Sequence, residues 1–288
     1  MPLPESSSLP FPVASQPQPR LVPVRRWRPS LLIVLSLALH VAAGVAWLLG
    51  ALSGGQLLML LAINHAVLTI CGLVPRCRWL GPNLTRLPAA AVARREVALT
   101  IDDGPDPEVT PAVLDLLERH GARATFFCIG VLAQRHHELC REIVRRGHAI
   151  ENHSQHHRHN FSLLGIRGLR RELRQAQETL FAITGHWPRF FRAPAGLRNP
   201  LLAPVLPGLG LQLASWTRRG FDTRHAEPER LLQRLTSGLS AGDILLLHDG
   251  NAARTPSGQP AILAVLPSLL QRLDAAGLRT VTLVEAHL

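Results

Sequence analysis

The sequence predicts an α/β fold, in which about seven parallel strands form a sheet curled into a barrel behind an N-terminal pair of transmembrane helices. Three observations carry this prediction. After residue 95, short apolar runs alternate with longer segments of helical apolar spacing. Before residue 79, two long uncharged stretches have the length of membrane spans. Four polar clusters each follow an apolar run, which is where α/β barrels carry their chemistry.

The charge of the chain is concentrated at its N-terminal end. The 288 residues include 31 Lys+Arg and 20 Asp+Glu, for a formal net charge of +11, and no lysine occurs. Residues 1–86 hold seven arginines and one acid, or +6 of that total. This distribution favours a membrane surface as partner, and the absence of any nucleic-acid-binding motif predicts no nucleic-acid partner. The four cysteines lack CxxC spacing and predict neither a disulfide framework nor a zinc–thiolate site.

The N-terminal part of the chain divides into a tail, two apolar segments and a linker. Residues 1–30 are rich in Pro and Ser without apolar periodicity, which is typical of a disordered tail. Residues 31–50 and 57–74 carry no charge and are long enough to span a bilayer. The predicted division is a tail at 1–30, two transmembrane helices at 31–78, a linker at 79–94 and the α/β domain at 95–288.

A cleaved signal peptide is the alternative for the first apolar stretch, because residues 41–46 offer small side chains for cleavage. A signal core usually has about 7–15 residues after a short basic region, whereas this stretch is longer and follows thirty residues. These features favour an anchor. Arginines flank both outer ends of the pair but not its connecting turn, which predicts a multi-pass protein of the inner membrane with its α/β domain on the cytoplasmic face. If the second stretch does not span, that orientation reverses.

The α/β domain is predicted element by element from its apolar pattern. Strands are expected at residues 97–101, 124–129, 148–151, 190–192, 211–215, 243–247 and 280–283. Helices are expected at residues 111–120, 132–146, 169–183, 228–239 and 262–276, four of them followed by glycine, as helix ends often are. Repeated strand–helix–strand units imply a parallel sheet.

Two of the polar clusters contain the groups that a metal-dependent hydrolase needs. Asp102 and Asp103 follow the first strand, where adjacent side chains diverge, so one carboxylate can bind a metal while the other acts as a base. His153 and His157 are four residues apart, which on a helical turn places both on one face, with His156 facing elsewhere. Two imidazoles and a carboxylate are a donor set of catalytic zinc sites. Each cluster alone is also compatible with a polar turn or a solvated loop.

Arg192 and His248 each end a predicted strand, and each by itself is also compatible with an ordinary structural role. Their occurrence together with the carboxylates and the histidine pair indicates amide or ester hydrolysis.

With these residues in place, residues 95–288 resemble the NodB-like polysaccharide deacetylases, carbohydrate esterase family 4. Of that family's five ordered motifs, the first, second, third and fifth are present at 100–105, 153–157, 192–196 and 245–248. The fourth is incomplete, since Trp216 and Asp222 keep its spacing but Thr223 replaces a second tryptophan. The third usually has an aromatic residue where Ala195 stands. Both departures affect the groove that contacts sugar more than the chemistry.

The resemblance implies a distorted (β/α) barrel with fewer than eight strands and one bound divalent metal ion. Asp103, His153 and His157 match the family's metal ligands, with zinc as the expected ion and cobalt or nickel as alternatives. Asp102 matches the general base, and Arg192 matches the arginine that orients it.

The resemblance also implies an acid and a substrate groove. His248 matches the general acid for the leaving amine, and Asp222 matches the carboxylate that keeps it protonated. Leu246 would line the acetyl-methyl pocket, the backbone N–H of Ala195 would stabilise the oxyanion, and Trp216 would form part of the sugar-contacting wall.

The expected function is metal-dependent N-deacetylation of an amino sugar by a membrane-anchored enzyme. The predicted topology favours a lipid-linked sugar, that is, a glycolipid or a glycan precursor, as substrate. A second possibility is the same chemistry on peptidoglycan or exopolysaccharide outside the cytoplasm. A third, of another class, is a non-catalytic sugar-binding membrane protein, against which the presence of the whole set of site residues argues.

Overall fold

The computed structural model describes residues 26–288, so the tail prediction for residues 1–25 lies outside the described residues. The two apolar stretches form helices α1 (Leu31–Leu48) and α2 (Gly54–Leu73). Ser30 caps α1 by accepting a hydrogen bond from the Ile33 N–H, and Ser53 forms a capping box with Gln56 at the start of α2.

These two helices pack on each other, and most of their surface is exposed. Only 11% of the apolar window in α1 and 17% of that in α2 is buried, so neither is a core helix of the α/β domain. Their shared face is polar at one level, where Asn64 Nδ2 donates to Ser36 Oγ at 2.8 Å and both side chains are buried. Small and polar side chains at a helix–helix contact, with apolar faces outward, are typical of membrane helices. The lengths and composition are those of membrane spans.

The segment expected to be a linker packs against the α/β domain. It contains helix α3 (Ala89–Ala93), and Leu80 and Leu87 are buried. Leu84 forms a parallel bridge with Ala214. The residues between α2 and the first strand therefore pack against the α/β domain and do not form a free linker.

The predicted parallel α/β sheet is confirmed. Its strands are β1 (Glu96–Asp102), β2 (Thr125–Cys128), β3 (Ala149–Asn152), β4 (Phe190–Phe191), β5 (Gln212–Leu213), β6 (Arg218–Arg219), β7 (Ile244–His248) and β8 (Arg279–Val281). The order is β5-β4-β3-β2-β1-β7-β6, with β8 pairing the first residues of β1. The strand β6 was not predicted, because two arginines carry no apolar signal. All seven strands of the sequence prediction have a counterpart.

The helices of this domain are α4 (Thr110–Arg119), α5 (Gly130–Arg135), α6 (His137–Arg145), α7 (Ile166–Thr184), α8 (Pro228–Thr236) and α9 (Ala261–Ala275). The prediction of one continuous helix at residues 132–146 was wrong, because the chain breaks at His136, where φ is −119° and ψ is 45°. No proline or glycine marks this break in the sequence, so the apolar spacing runs through it.

The central strand β1 is buried along its whole length and separates two apolar layers. Val97, Leu99 and Ile101 face the layer under the helices, whereas Ala98 faces a second layer that includes Leu246. This alternation is the period of two expected of a strand buried on both faces.

Strand register brings the predicted site residues to one edge of the sheet. Asp102 pairs with His248 of β7 and Asn152 pairs with Phe191 of β4, so the residues that end or follow these strands meet at their carboxyl ends. This is the edge at which α/β barrels form their active sites.

Candidate active site

Three side chains at this edge converge on one point. Asp103 Oδ1 lies 3.1 Å from His153 Nε2 and 3.2 Å from His157 Nε2. The candidate ligand atoms of the three residues all lie within 4.8 Å of one another. One carboxylate oxygen and two imidazole nitrogens at this spacing suit a divalent ion such as zinc.

The orientation of His153 fits a metal ligand. Its Nδ1 lies 2.8 Å from the Arg192 carbonyl oxygen, so Nδ1 carries a proton and donates it there. Nε2 is thereby aimed at Asp103 Oδ1, at 3.1 Å, so a divalent cation bound between the two atoms would take the place of the proton of this hydrogen bond. A backbone carbonyl in this role is the usual way of fixing a metal-bound histidine.

The electrostatics of Asp103 favour its charged form. Burial opposes ionisation, but hydrogen bonds with His153 and His157 outweigh it, and the pKa of Asp103 is held well below its usual range. Asp103 is therefore a carboxylate at any pH of interest, as a metal ligand must be.

The two histidines approach each other from a loop, which corrects the expectation of a helical turn. Residues 153–157 follow β3 without helical structure, and Ser154 and His157 have φ values of 66° and 47°. The Ser154 N–H donates to Asn152 Oδ1, and the His157 N–H donates to Ser154 Oγ. These bonds fold the loop so that the rings of His153 and His157 lie 4.8 Å apart.

His156 faces away from this cluster, as the spacing predicts. Its Nδ1 lies 3.0 Å from Glu172 Oε1 on α7, and its backbone N–H donates to the other oxygen of that carboxylate.

Asp102 is held by a fully buried arginine. Arg192 Nη1 donates to Asp102 Oδ1 at 2.6 Å and to Thr100 Oγ1 at 2.9 Å, and Nη2 donates to the Ser215 carbonyl at 2.9 Å. The guanidinium carbon also lies 4.1 Å from the centre of the Phe127 ring. Asp102 thus has one oxygen fixed by a cation, and its Oδ2 lies 3.9 Å from His153 Nε2, beside the candidate metal ligands.

His248 is clamped by a second carboxylate. Asp222, which is fully buried, accepts from the His248 N–H at 2.7 Å through Oδ2 and from Nδ1 at 2.8 Å through Oδ1. Burial disfavours the imidazolium, but the charge of Asp222 and its hydrogen bond outweigh that cost and raise the pKa of His248. With Nδ1 occupied, Nε2 is the atom left to face the pocket.

These groups surround one open pocket with a cavity of about 230 Å³. Leu246, Ala195 and Trp216 line it, as the sequence leads us to expect. Ala195 has a φ of 54°, in the left-handed region, within a short turn after β4. Asp222 and Arg192 lie behind the lining, where they contact His248 and Asp102.

Sequence reasoning missed several residues at this pocket. Asn251 lines it and directs Nδ2 towards Asp103 Oδ2 at 3.4 Å, and Arg219 and Arg224 also line it. Asn251 follows the fifth motif by three residues, and Arg219 lies within the fourth. Their closeness to these motifs is the one feature of the sequence that could have indicated a place at the pocket. Ser215 also contributes, through the carbonyl that holds Arg192.

The segment after α2 forms part of the pocket surroundings. The Pro75 carbonyl accepts from Ser215 Oγ at 2.7 Å, and Arg76 Nη1 donates to the Thr217 carbonyl at 3.0 Å. Gly196, which lines the pocket, has no room for a Cβ because Pro75 and Trp216 occupy that space. The end of the second apolar helix is therefore two residues from a side chain that packs on the pocket wall.

Comparisons with known proteins identify the family of this chain. A family described as polysaccharide deacetylase matches residues 89–214. A peptidoglycan-N-acetylglucosamine deacetylase from Bacillus cereus is 34% identical over 191 residues, covering 66% of this chain and 86% of the relative. A chitooligosaccharide deacetylase from Azorhizobium caulinodans is 35% identical over 188 residues, covering 63% of this chain and 89% of the relative.

A solved structure of a family 4 carbohydrate esterase is also similar to this chain. The family 4 carbohydrate esterase from Streptomyces lividans, in complex with acetate, superimposes with a TM-score of 0.58 at 32% identity, covering 64% of this chain and 91% of that one. The resemblance stated from the motifs is thereby confirmed. The chain belongs to the polysaccharide deacetylase family, carbohydrate esterase family 4, whose members hydrolyse the N-acetyl amide bonds of sugars and use a divalent metal.

Proposed function

We propose that this protein removes N-acetyl groups from an amino sugar of a membrane-associated glycolipid or glycan precursor, with Asp103, His153 and His157 holding one divalent ion, zinc in the first instance. The observation that carries this proposal is the pocket itself. The pocket is lined by these three candidate metal ligands together with Asp102 and His248. Asp102 contacts Arg192, and His248 contacts Asp222.

Asp102 is the base in this proposal. Arg192 fixes Oδ1, so Oδ2 is oriented to accept a proton from the attacking water. When bound at the neighbouring ligands, a divalent ion supplies Lewis-acid chemistry: it polarises the amide carbonyl and makes water a stronger nucleophile near neutral pH. Arg192 and Asp102 form their contact at 2.6 Å inside the protein, which holds the carboxylate in one orientation.

His248 is the acid. Its Nδ1–H donates to Asp222, so a proton on Nε2 is the one available to the amine nitrogen when the C–N bond breaks. The raised pKa favours the protonated ring, which is the form that the transfer requires. Asp222 is a positioning residue, because it sets the orientation and charge of His248 without facing the pocket.

Leu246 and Ala195 hold the acetyl group in this scheme. Leu246 offers an apolar surface to the methyl, and the Ala195 N–H is a donor for the oxyanion, which needs no particular side chain. Trp216 forms an apolar wall for the sugar. The cavity is smaller than the roughly 300–1,000 Å³ typical of ligand pockets, which supports one sugar unit in place with the rest of the molecule outside.

The membrane part of the proposal is supported by α1 and α2 and by their docking. A substrate attached to lipid would be presented close to Pro75, which packs on the pocket wall. The arginines that flank the helix pair support a cytoplasmic face of the inner membrane for the domain. A reporter fused after Leu288 tests this, because it would be active in one compartment only.

Peptidoglycan or exopolysaccharide outside the cytoplasm is the second candidate substrate. The observation that favours it is the name of the Bacillus cereus relative, which is a peptidoglycan-N-acetylglucosamine deacetylase. A reporter signal from the outer side of the membrane would favour this candidate over the glycolipid precursor.

The deciding experiment compares lipid extracts from cells with active protein and from cells with the Asp102→Asn variant. We expect a glycolipid that differs by one acetyl group between the two extracts, together with metal-dependent acetate release by the purified protein. Acetate release from peptidoglycan with unchanged lipids would contradict the glycolipid assignment. A protein that binds sugar without releasing acetate would instead be the non-catalytic sugar-binding protein.

A further inference from the structure

Two arginines line the active-site pocket without a hydrogen-bond or ion-pair partner for their guanidinium groups among residues 26–288. Arg219 and Arg224 both border the cavity. Arg219 Nε is buried and has no hydrogen-bond partner in the described part of the chain. A buried cationic donor without a partner is costly, so such a group at a pocket indicates a ligand that completes it.

Arg219 is nevertheless held firmly in place. Its guanidinium carbon lies 5.3 Å from the centre of the Trp216 ring and 5.1 Å from that of Phe221. Cation–π contacts fix the position of the side chain and leave its N–H donors unused. Arg219 also pairs in register with Leu246 of the neighbouring strand, and both side chains line the pocket.

Neighbouring arginines show the contrast. Arg192 donates to Asp102, Arg218 donates to Asp243, and Arg76 donates to a backbone carbonyl. Each of these guanidinium groups has a hydrogen-bond acceptor within the protein. Arg219 has only ring contacts and one buried N–H without an acceptor, and Arg224 is exposed at the rim of the pocket.

We propose that Arg219 and Arg224 form an anion subsite that binds a phosphoryl group attached to the sugar whose N-acetyl group is hydrolysed. The identity of the sugar rests on the proposed function, but the anion subsite rests on the two guanidinium groups. Two guanidinium groups match a phosphoryl group in charge, and the planar fork of arginine matches the spacing of its oxygens. The subsite makes the enzyme selective for sugar phosphates over neutral glycans.

The test compares two soluble substrates that share one sugar, N-acetylglucosamine 1-phosphate and methyl N-acetylglucosaminide, on the metal-loaded full chain. We expect the wild type to prefer the phosphate in kcat/KM. Arg219→Gln and Arg224→Gln should each lower kcat/KM for the phosphate by about tenfold, mainly through KM, and lower the value for the neutral sugar by a clearly smaller factor. Arg219→Lys should recover part of the loss.

The matched control is Arg230→Gln, an exposed arginine on α8 that does not line the pocket. It should leave both substrates unaffected. Equal losses on the phosphate and the neutral sugar in the Arg219 and Arg224 variants, or no loss on either, would overturn the subsite.

A binding measurement tests the anion subsite independently of the proposed deacetylase function. Calorimetry with N-acetylglucosamine 1-phosphate should show affinity that falls by about tenfold in each pocket variant and not in Arg230→Gln. If neither sugar releases acetate but this arginine-dependent binding remains, the proposed function fails and the subsite stands. If acetate is released and binding does not depend on the arginines, the subsite fails alone.

The phosphoryl group could belong to a lipid carrier or to a soluble sugar phosphate. To distinguish them, KM is measured with the full chain in phospholipid vesicles that carry polyprenyl-phosphate-linked N-acetylglucosamine. An arginine-dependent KM lower than that for soluble N-acetylglucosamine 1-phosphate assigns the phosphoryl group to a lipid carrier. Equal arginine-dependent KM values assign it to a soluble sugar phosphate. A KM on vesicles that does not change in the pocket variants contradicts the proposal.

Discussion

Asp102 and Asp103 are adjacent in sequence but have different surroundings, because Asp102 contacts a buried guanidinium and Asp103 contacts two imidazoles. Asp102→Asn should leave metal bound, since the amide keeps an oxygen for Arg192 and removes only the proton acceptor. Turnover should fall by about a hundredfold or more. Asp103→Asn should instead weaken metal binding, with activity partly restored at high metal concentration.

Metal content and turnover of the two purified variants, measured across a series of zinc concentrations, check this division. A metal-free Asp102→Asn protein would show that the two roles are exchanged or shared.

The histidine cluster contains its own control. His153→Ala and His157→Ala should each lose metal and activity, because two protein ligands hold a divalent ion poorly. His156→Ala should keep both, since its imidazole contacts Glu172 and not Asp103. Metal stoichiometry by mass spectrometry of the three variants tests the assignment. Loss of metal from the His156 variant, with retention in the His157 variant, would refute it.

His248 sets the alkaline limit of activity in this scheme. The charge of Asp222 raises the pKa of His248 against the effect of burial, so the proton is present below that raised pKa and is lost as pH rises through it. Activity should therefore decline on the alkaline side, and Asp222→Asn should move that decline to lower pH. The exposed His186 offers a control, because His186→Ala should leave the profile unchanged. An alkaline limb that stays in place in the Asp222 variant would exclude His248 as the titrating group.

At the scale of elements, the strand ends position the side chains of the candidate site, and the loops that follow the strands orient them. β1 and β7 place Asp102 beside His248 by register, and the loop after β3 brings His153 and His157 together without a helix. The polar pattern predicted which residues meet. It did not predict the loop, because positive φ at Ser154 and His157 depends on hydrogen bonds that form only in the folded chain.

The contact between α2 and the α/β domain is a second feature at this scale. Gly72 has no room for a Cβ because the Arg198 carbonyl occupies the space, and the Arg198 N–H donates to the Gly72 carbonyl at 3.1 Å. Gly72→Ala should displace the end of α2, lower the melting temperature in detergent and raise KM. Gly55→Ala, in the same helix but with open space around it, should be neutral or slightly stabilising. Equal melting temperatures and KM values for the two variants would mean that this contact contributes nothing.

At the scale of the whole molecule, the two apolar helices have the length of membrane spans, and an anchor and a cleaved signal make different predictions. If α1 and α2 are an anchor, the protein in membranes keeps the residues before Leu31, and carbonate extraction does not release it. Peptide mapping of membrane-derived protein checks this, with a soluble truncation starting at residue 79 as the extraction control. A mature chain beginning near residue 47 would instead identify α1 as a cleaved signal.

The sequence by itself determined the α/β class, the strand ends that carry polar clusters, the family, and the two membrane-length helices. Each of these depends on local pattern: hydrophobic period, segment length or motif spacing. Only the tertiary structure decided the broken helix at His136, the packing of residues 79–94, the short strand Arg218–Arg219 and the placement of Pro75 on the pocket wall. It also showed that Arg219 is held by aromatic rings with its donors unused. These features arise from contacts between residues distant in sequence, and local spacing carries no information about which distant partner a side chain will meet.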